Sequence, residues 1–416
     1  MLTRRVTYRL YPTKQQTAQL FEWKRLHCYL YNAALADRRD MYQRWGISVD
    51  YFGQQNCLPA FKEEWPEFIE LGSQALQATL KRVDFAFERF FKGLGGYPKF
   101  KGSRFYSGWT YPAKAGWKAL TDGKHGSLKL SNLGTIQMRG QARTWGTPTT
   151  CTIFHRHGKW YASITVKCEP VRATGGGSIG IDLGCKAAVS FSDGRKQAKP
   201  AFIAVGEQAV KAASKRLRRK RAPNRTKRIR GSRRWLSERR RISKLQRKVT
   251  RQREDWIHQL TSNIVSANSL IAGEQLSVKN MTRKAKQGSQ RKAQKSGLNR
   301  SILAVGFGMI GQFLDYKAAE AGGFYVESPT RQLKPTQRCA MCWELTPKTL
   351  SDRVHVCSNA ECGHVKDRDT NAAQVNLIYA TGQELSSSSR SASSTDCGSM
   401  RQLAEMKRAK LLDSVS

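Results

Sequence analysis

The sequence "CGHVKDRDTNAAQVNL" (residues 362–377) joins the last residue of a cysteine cluster to the start of a predicted helix. Two acids, Asp367 and Asp369, stand directly before an Asn-Ala-Ala run, where a carboxylate can cap the first turn of a helix. A capping role alone would explain Asp369. A carboxylate held directly behind a metal-binding motif also suits a catalytic site, and that interpretation requires partner acids elsewhere in the chain.

Four of the ten cysteines form two close pairs separated by fourteen residues, Cys339-x2-Cys342 and Cys357-x4-Cys362. Such spacings across a hairpin can place four thiolates at the corners of a tetrahedron, the arrangement of a structural Zn²⁺ site. His355 and His364 flank the second pair and could substitute for one ligand. Because four cysteines leave no position for a water molecule, we expect the zinc to be structural. The other cysteines are scattered, which favours a reducing cytoplasm over a disulfide framework.

Three carboxylates are candidates for catalysis: Asp182, Glu274 and Asp369. Asp182 interrupts the apolar, strand-like segment 178–184, and Glu274 lies near the end of the apolar segment 269–276. Burying a lone carboxylate is costly unless a partner compensates it; for Glu274, a solvated strand end is the alternative. Clustered acids repel one another unless divalent cations neutralise them, and oxygen ligands favour Mg²⁺ or Mn²⁺. Two such ions can clamp the attacking water and the leaving oxygen of a phosphodiester.

The charge of the chain indicates a polyanionic partner. Lys and Arg number 73 against 31 acids, which gives a formal net charge of +42, and such a surface suits nucleic acid. Residues 211–253 contain 21 Lys or Arg and a single acid, Glu238, a pattern that favours a phosphate-binding arm over an ordinary solvated helix face. We expect no membrane association, because the longest apolar run, 302–314, is short and contains Gln312, and the N-terminus does not read as a signal peptide.

Hydrophobic periodicity divides the chain into several predicted parts. These are a β-barrel-like domain at 1–12 and 98–171, a helical insertion at 13–97, a linker at 172–177, an α/β domain at 178–335 and 366–380, a cysteine-containing segment at 336–365, and a disordered, Ser-rich tail at 381–416. A hairpin in the first domain is predicted to turn at His157-Gly158. The aromatic residues in 104–117, which alternate with Lys and Arg, could stack on RNA bases or pack in the core.

The order of these motifs resembles a known family. "GIDLG" (180–184), "GEQLSVKNM" (273–281), the two cysteine pairs and "DRDTNAA" (367–373) resemble the split RuvC nuclease domain, with its inserted zinc ribbon, of the TnpB (OrfB) proteins of insertion sequences. These proteins are related to compact type V CRISPR effectors. The phrases "YRLYPTKQQ" (8–16), "YNAAL" (31–35) and "GYPKFKG" (96–102) are similar to the family's N-terminal part, so the resemblance covers roughly residues 1–378.

The resemblance implies an α/β multi-domain fold: a wedge-like β-barrel with a helical, recognition-like insertion, then an RNase H-like RuvC domain with an inserted zinc ribbon. It implies a Mg²⁺-dependent endonuclease that a guide RNA from the element's end directs to double-stranded DNA beside a short target-adjacent motif. Carried over by position, Asp182, Glu274 and Asp369 are the catalytic Mg²⁺ ligands, and Cys339, Cys342, Cys357 and Cys362 bind Zn²⁺. Asp367 matches a preceding acid that binds no metal. We expect a monomer in the prokaryotic cytoplasm, associated with the nucleoid.

Two departures and three alternatives accompany this resemblance. The second cysteine pair is wider than usual for the family, and Gly273 stands where many relatives have a bulkier aliphatic residue. A compact type V CRISPR effector would share the same chemistry and differ in its genomic neighbourhood. A guided DNA-binding regulator would not need all three acids. A DNA-strand transferase would need a hydroxyl end as its nucleophile, and the inserted ribbon argues against it.

Overall fold

The computed structural model describes residues 2–382 apart from residues 225, 287, 289 and 350. The chain divides into two compact units, Met1–Val171 and Arg172–Ser416. The disordered tail predicted at 381–416 lies outside the described residues from residue 383 onward. Within the described part of the chain, no helix is both long and apolar enough to cross a membrane.

The first unit contains seven strands and a group of helices that follows the first strand. Its elements are β1 (Leu2–Tyr11), α1 (Lys14–Trp45), α2 (Tyr51–Asn56), α3 (Leu58–Glu64), a 3-10 turn (Pro66–Leu71), α4 (Ser73–Phe91), β2 (Gly108–Tyr111), β3 (Trp117–Leu120), β4 (Ser127–Leu130), β5 (Gly134–Arg139), β6 (Thr147–Arg156) and β7 (Lys159–Cys168). Helix α1 begins at a capping box, in which Thr13 and Gln16 exchange side-chain-to-backbone hydrogen bonds. It ends at Gly46, whose φ of 69° is left-handed.

The seven strands form one sheet in the order β2-β6-β7-β1-β5-β4-β3. The hairpin predicted at His157-Gly158 is confirmed: Arg156 pairs with Lys159, and both turn residues have positive φ, as a two-residue hairpin requires. The predicted barrel is not closed, because β2 and β3 are the two edges of the sheet. Helices α1 and α4 share one hydrophobic core with the strands, so helices rather than further strand pairing complete the packing.

The aromatic residues of segment 104–117 belong mainly to this core. Tyr106, Trp109, Tyr111 and Trp117 are buried, whereas Phe105 is 87% exposed. Trp109 lies edge-on to Trp23 of α1, with ring centroids 6.1 Å apart. Of the two explanations that the sequence left open, core packing therefore accounts for these four aromatic side chains.

The second unit alternates strands and helices. Its elements are β8 (Gly177–Asp182), β9 (Ala187–Phe191), β10 (Lys196–Ala198), α5 (Ala201–Arg218), α6 (Arg233–Ala267), β11 (Asn268–Glu274), α7 (Val278–Met281), α8 (Lys292–Val305), α9 (Phe307–Glu320), β12 (Phe324–Ser328), α10 (Thr330–Leu333), β13 (Val354–Val356), β14 (Val365–Asp367) and α11 (Arg368–Thr381). Residues 172–177, predicted as a linker, are tied to this unit, and residue 177 is already the first residue of β8. The Gly175 amide donates to the Ser266 carbonyl at 2.9 Å, and Arg172 pairs with the buried Glu320 at 2.6 Å.

Five of these strands form a mixed sheet in the order β10-β9-β8-β11-β12. Strands β8, β11 and β12 run parallel to one another, whereas β9 is antiparallel to both of its neighbours. Strands β8 and β11 share a core with α6 and α9, to which Ile181, Ile271, Ile257 and Leu314 contribute. The remaining two strands, β13 and β14, form a separate hairpin whose second strand continues directly into α11.

Helix α11 packs directly on β8 because the strand carries Gly180 where the two elements meet. A Cβ atom at this position would lie 1.9 Å from the backbone oxygen of Ala373, well inside van der Waals contact. Asn376 completes the contact from the helix side. Its side-chain amide donates to the Ile181 carbonyl at 3.0 Å, and its oxygen accepts from the Ser328 hydroxyl at 2.6 Å. The "GIDLG" and "DRDTNAA" motifs are therefore two halves of one packing contact.

We expect Gly180→Ala to lower the free energy of unfolding by about 1–3 kcal/mol, the usual cost of overpacking a close contact. The added methyl group meets backbone, which cannot rotate away, so α11 has to shift. Gly176→Ala is the matched control, because a Cβ at Gly176 meets no atom within 4 Å. Urea unfolding of both variants measures the difference. Equal stabilities would contradict the close approach of α11 to β8.

Gly273 has a structural explanation in this chain. A Cβ at Gly273 would lie 2.9 Å from the hydroxyl oxygen of Tyr325 and 3.2 Å from Cγ1 of Ile181. The ring of Tyr325 reaches across from the neighbouring strand β12 and occupies the space beside the glycine. A bulkier aliphatic residue would fill that space from β11 itself.

Candidate functional site

The fold brings the three candidate carboxylates to one region of the second unit. Asp182 is the last residue of β8 and Glu274 is the last residue of β11. In these parallel neighbours, both acids lie two residues beyond the paired Gly180 and Ala272, so they end adjacent strands at the same edge. Asp369 is the second residue of α11, which packs on β8.

Burial and mutual repulsion dominate the electrostatics of this region. Asp182 is 9% exposed. Its pKa is raised well above the ordinary range, first by burial and then by the negative charges of Glu274 and Asp369, while Arg368 opposes the increase. Burial raises the pKa of Glu274 to about 7. Its Oε1 is buried and accepts no hydrogen bond from the residues that the structure describes. Glu274 is therefore not a solvated strand end.

These properties fit a divalent cation. An ion bound here would lower the electrostatic free energy of holding three ionised acids close together. It would also give the buried oxygen of Glu274 a partner. The carboxylates are not packed as tightly as the cysteines: among described residues, only the four-cysteine group places three or more ligand atoms within 4.8 Å of one another. Ions would therefore contact subsets of the acids or draw the side chains together.

Asp367 and Asp369 have different environments although only one residue separates them. Asp367 is the N-cap of α11, where its carboxylate accepts a hydrogen bond from the Thr370 amide at 3.1 Å. It also pairs with Lys196 of β10 at 2.7 Å. The hydrogen bonds from Lys196 and Thr370 hold the pKa of Asp367 below its usual range despite partial burial. Because Asp367 is the cap, the carboxylate of Asp369 is not needed for that purpose.

Arg368 links Asp369 to the segment between the cysteine pairs. Its Nε and Nη2 atoms donate to Oδ1 of Asp369 at 3.1 and 3.0 Å, and Nη1 donates to the Asp352 carbonyl at 2.9 Å. Its backbone amide donates to the Arg353 carbonyl at 2.9 Å. Arg368 is not among the residues predicted from the sequence, although its position between two acids was a usable signal.

The four cysteines predicted from their spacing do come together. The Sγ atoms of Cys339 and Cys362 are 3.8 Å apart, and those of Cys342 and Cys357 are 3.4 Å apart. Zn–S bonds of about 2.3 Å at tetrahedral angles place sulfurs about 3.8 Å from one another, so the arrangement fits zinc. Of the described residues, the cysteines alone make up this group of ligand atoms, and neither His355 nor His364 belongs to it.

Asn371 attaches the cysteine cluster to α11. Its side-chain amide donates to the Arg338 carbonyl at 2.7 Å, and its oxygen accepts from the Ala340 amide at 3.0 Å. A small apolar cluster of Leu333, Ala340 and Val375 packs beside these bonds. The first cysteine pair is therefore fixed to the helix that carries Asp369, two residues before Asn371. The Asn-Ala-Ala run is visible in the sequence, but this role of its asparagine is not predictable from the run alone.

The basic segment 211–253 spans the end of α5, the connection 219–232 and the first part of α6. Its apolar residues Ile242 and Val249 face the core, while most of its cations are exposed. Glu238, the single acid, pairs with Arg216 at 3.4 Å and neutralises only a small part of the charge. This surface can contact phosphates through many separate side chains.

The fold and site define a basic α/β protein in which three carboxylates and a four-cysteine cluster flank one helix. Family models match three parts of the chain: the OrfB model described as "Probable transposase" at residues 162–285, a "Cas12f1-like, TNB domain" at 307–376, and the OrfB "Helix-turn-helix domain" at 1–46. These matches agree with the resemblance of the chain to the OrfB (TnpB) proteins of insertion sequences. Despite the third description, residues 2–45 form one strand and one long helix.

Two relatives match most of the chain. InsQ of Escherichia coli (strain K12) is 26% identical over 346 residues, which cover 80% of this chain and 82% of InsQ. A protein of Streptomyces pristinaespiralis is 28% identical over 387 residues, which cover 90% of this chain and 88% of that protein. The first is named "Putative RNA-guided DNA endonuclease InsQ" and the second "Putative RNA-guided DNA endonuclease".

Two solved structures are also similar over most of their length. A Cas12f1–sgRNA–target DNA complex matches at 12% identity and a TM-score of 0.32, covering 91% of this chain and 99% of that chain. A CRISPR-Cas12f ternary complex matches at 11% identity and a TM-score of 0.33, covering 87% of this chain and 82% of that chain.

Proposed function

We propose that this protein is a transposon-encoded, RNA-guided endonuclease that cuts double-stranded DNA next to a short target-adjacent motif. The main support for this proposal is the position of Asp182, Glu274 and Asp369 at two adjacent strand ends and a helix start. The names of the relatives support the guided activity. The mixed five-stranded sheet and the acid order support a RuvC-like, RNase H-like assignment of the second unit.

The three carboxylates would hold Mg²⁺ or Mn²⁺ ions, which supply a metal-activated water and stabilise the leaving oxygen of the phosphodiester. The protein's own contribution is to keep the carboxylates in place. Glu274 and Asp182 stand on rigid strand ends, and Asp369 stands on a helix that the contacts of Gly180 and Asn376 hold against β8. Burial of Asp182 and Glu274 limits access of bulk water to their oxygens.

In this proposal the four cysteines bind structural Zn²⁺ and make the segment around them a rigid support for α11. Asn371 and Arg368 link the start of α11 to this segment through four hydrogen bonds with the backbone of residues 338–353. The basic segment 211–253 would bind the backbone of an RNA–DNA hybrid, since in guided nucleases base pairing supplies sequence specificity and the protein reads the shape of the hybrid.

The proposed function is tested by expressing the gene with its native flanking DNA and sequencing the RNA that co-purifies. A discrete RNA ending in sequence from outside the element would establish a guide and define the target for a Mg²⁺ cleavage assay on a plasmid library. A heterogeneous mixture of host RNA would contradict a guide. Cleavage separates this function from a binding-only regulator, and dependence on a free DNA 3′ end would instead indicate the strand transfer that the description "Probable transposase" suggests.

Replacing Arg368 is expected to change the response to Mg²⁺. The Arg368 side chain is a fixed positive charge on Asp369, and two unit charges 4 Å apart interact by about 1 kcal/mol even in a water-like medium. In Arg368→Gln, we expect the Mg²⁺ concentration at half-maximal thermal stabilisation to fall by about fivefold or more. The metal-free protein should become less stable because its acids lose a counter-charge.

Arg368→Lys is the matched control for this prediction, because it retains the positive charge and should stay within about twofold of the wild type. Differential scanning fluorimetry with Mg²⁺ gives the midpoint without requiring cleavage. If the midpoint rises in Arg368→Gln and stays normal in Arg368→Lys, Arg368 would serve to orient Asp369 toward the ion rather than to compete with it.

A further inference from the structure

An open groove lies on the surface of the first unit, between the C-terminal half of α1 and the segment that follows α4. It has a volume of about 590 Å³ and is lined by Arg39, Tyr42 and Gln43 on one side and by residues 97–100 on the other. We call it the 97–100 groove. Its rings are accessible: Tyr42 is 66% exposed, Phe100 51% and Tyr97 45%.

The groove is held in shape by contacts beneath it. The Asn32 side chain binds both backbone groups of Lys101: it donates to the carbonyl and accepts from the amide, each at 2.9 Å. The ring of Tyr97 lies edge-on to Phe87 and Phe90 of α4, with centroids 5.7 and 5.3 Å apart. The "YNAAL" and "GYPKFKG" segments therefore form one preorganised platform, which would lose little entropy on binding.

The exposed rings are not required by the core of this unit. The large aromatic residues of that core, such as Trp23, Tyr31 and Trp109, are at most 2% exposed. By contrast, the rings of the groove expose apolar surface to water. Relative to burial, each Å² of exposed apolar surface costs roughly 25 cal/mol of free energy. Exposed aromatic residues held in place by partly buried neighbours are typical of a binding surface.

The charges around the groove indicate an anionic ligand. Residues 92–104 contain four cations, Lys92, Lys99, Lys101 and Arg104, and no acid. On the opposite side, the guanidinium of Arg39 lies 5.4 Å from the ring centroid of Phe100. A purely apolar protein segment would gain little from this positive rim, and an acidic peptide would not need three exposed rings. A nucleotide presents both a flat apolar base and a phosphate.

Building on the function proposed above, we propose that the 97–100 groove binds an unpaired nucleotide of the guide RNA, with its base against the rings of Tyr42 and Phe100 and its phosphate near Lys99. RNA presents unpaired bases in loops and bulges, which proteins bind by stacking on aromatic rings and Arg planes. The groove would thus distinguish a folded RNA with a base out of the helix from a uniform duplex.

The test is the affinity of the double variant Tyr42→Ala/Phe100→Ala for the co-purifying RNA, without DNA, over a series of salt concentrations. Loss of stacking should weaken binding about 5- to 150-fold and leave the slope of log K against log[salt] unchanged. Lys99→Gln should reduce that slope by about one. Tyr42→Trp should retain affinity, and its fluorescence should be quenched on RNA binding.

Phe85→Ala is the matched control. Phe85 is 52% exposed, close to the value for Phe100, and also lies near a cation, with Lys81 5.4 Å from its ring centroid, but it is outside the groove. Wild-type affinity in this variant and reduced affinity in the double variant would support the proposal. Equal affinities in all three proteins would overturn it.

Two further results would also overturn the proposal. Normal RNA binding with weakened binding of target DNA would assign the groove to a DNA strand. A change in the oligomeric state of the double variant, detected by light scattering, would assign the groove to a second copy of the chain. If thermal unfolding shows that the double variant has lost its fold, the single variants Tyr42→Ala and Phe100→Ala carry the same test with the same two outcomes. Purification of the wild type without any discrete RNA would instead contradict the proposed function itself.

Discussion

Replacing Asp182 with Asn is expected to abolish DNA cleavage and to raise the thermal stability of the metal-free protein. Loss of a charged metal ligand should reduce the cleavage rate by about 10³-fold or more, equivalent to roughly 4 kcal/mol of transition-state stabilisation. Stability should rise because burial and the neighbouring acids raise the pKa of Asp182 well above its usual range, so its ionised form opposes folding at neutral pH. We expect a gain of about 1–2 kcal/mol, or roughly 2–8 °C in Tm.

The pH dependence of this gain has a definite sign. A carboxyl group whose pKa is higher in the folded state than in the unfolded state binds its proton more tightly when folded. The wild type therefore loses stability as the pH rises from about 4, the unfolded value, through the raised value. In EDTA, the difference between Asp182→Asn and wild type should be small at pH 4 and larger at pH 8. Glu274→Gln should behave similarly, since burial raises the pKa of Glu274 to about 7.

A suitable control is Asp193→Asn, which removes an acid of the same unit outside the site. Asp193 is partly exposed and pairs with Arg195 at 2.6 Å, so its replacement should leave cleavage intact and change stability by about 0.5 kcal/mol or less. Guided DNA binding by Asp182→Asn should also persist. If Asp182→Asn lost binding and stability together with cleavage, the acid would be a structural residue, and the proposed site would be wrong.

Removing zinc is expected to unfold the cysteine-containing segment and to abolish cleavage even at saturating Mg²⁺. Structural zinc sites contribute about 10–16 kcal/mol of binding free energy that serves as folding free energy. In this protein, the backbone groups that Asn371 and Arg368 bind belong to the segment that zinc would order. Without zinc, the start of α11 loses these contacts, and Asp369 loses its position.

Metal analysis should detect about one zinc per chain in the wild type and less in Cys342→Ala. Limited proteolysis should then cut the variant within residues 336–365, while the first unit stays intact. Cys57→Ala serves as the control, because Cys57 is an exposed cysteine outside the cluster. Unchanged stability and cleavage after verified removal of zinc would show that the cluster does not support α11.

Much of the candidate site could be predicted from local sequence patterns. Two cysteine pairs at short spacing are sufficient to indicate a shared metal, because the spacing itself limits how far the thiolates can separate. Similarly, an acid that ends an apolar strand implies a compensating partner. The turn at His157-Gly158 was predictable because a two-residue turn containing glycine separates two strand-like segments.

Other features depended on contacts between distant parts of the chain. The sequence suggested Asp369 as a possible cap of α11, but the helix begins directly after β14 and its cap is Asp367. The expected barrel became an open sheet because α1 and α4 pack with the strands in one core. Likewise, four of the five aromatic residues of 104–117 proved to be core residues, whereas Tyr42, Tyr97 and Phe100 are exposed.

Local patterns are enough to identify the chemical groups available: three acids in strand-end and helix-start settings, four thiols at metal spacing, and an excess of positive charge. Which of these groups act together depends on contacts between distant segments. The approach of Ala373 to Gly180 and the bonds of Asn371 to residues 338 and 340 join residues far apart in the chain. The burial of the Glu274 oxygen likewise results from packing of distant segments. The physical reason is that capping, periodicity and ligand spacing act over a few residues, whereas burial and mutual repulsion arise only when distant segments pack together.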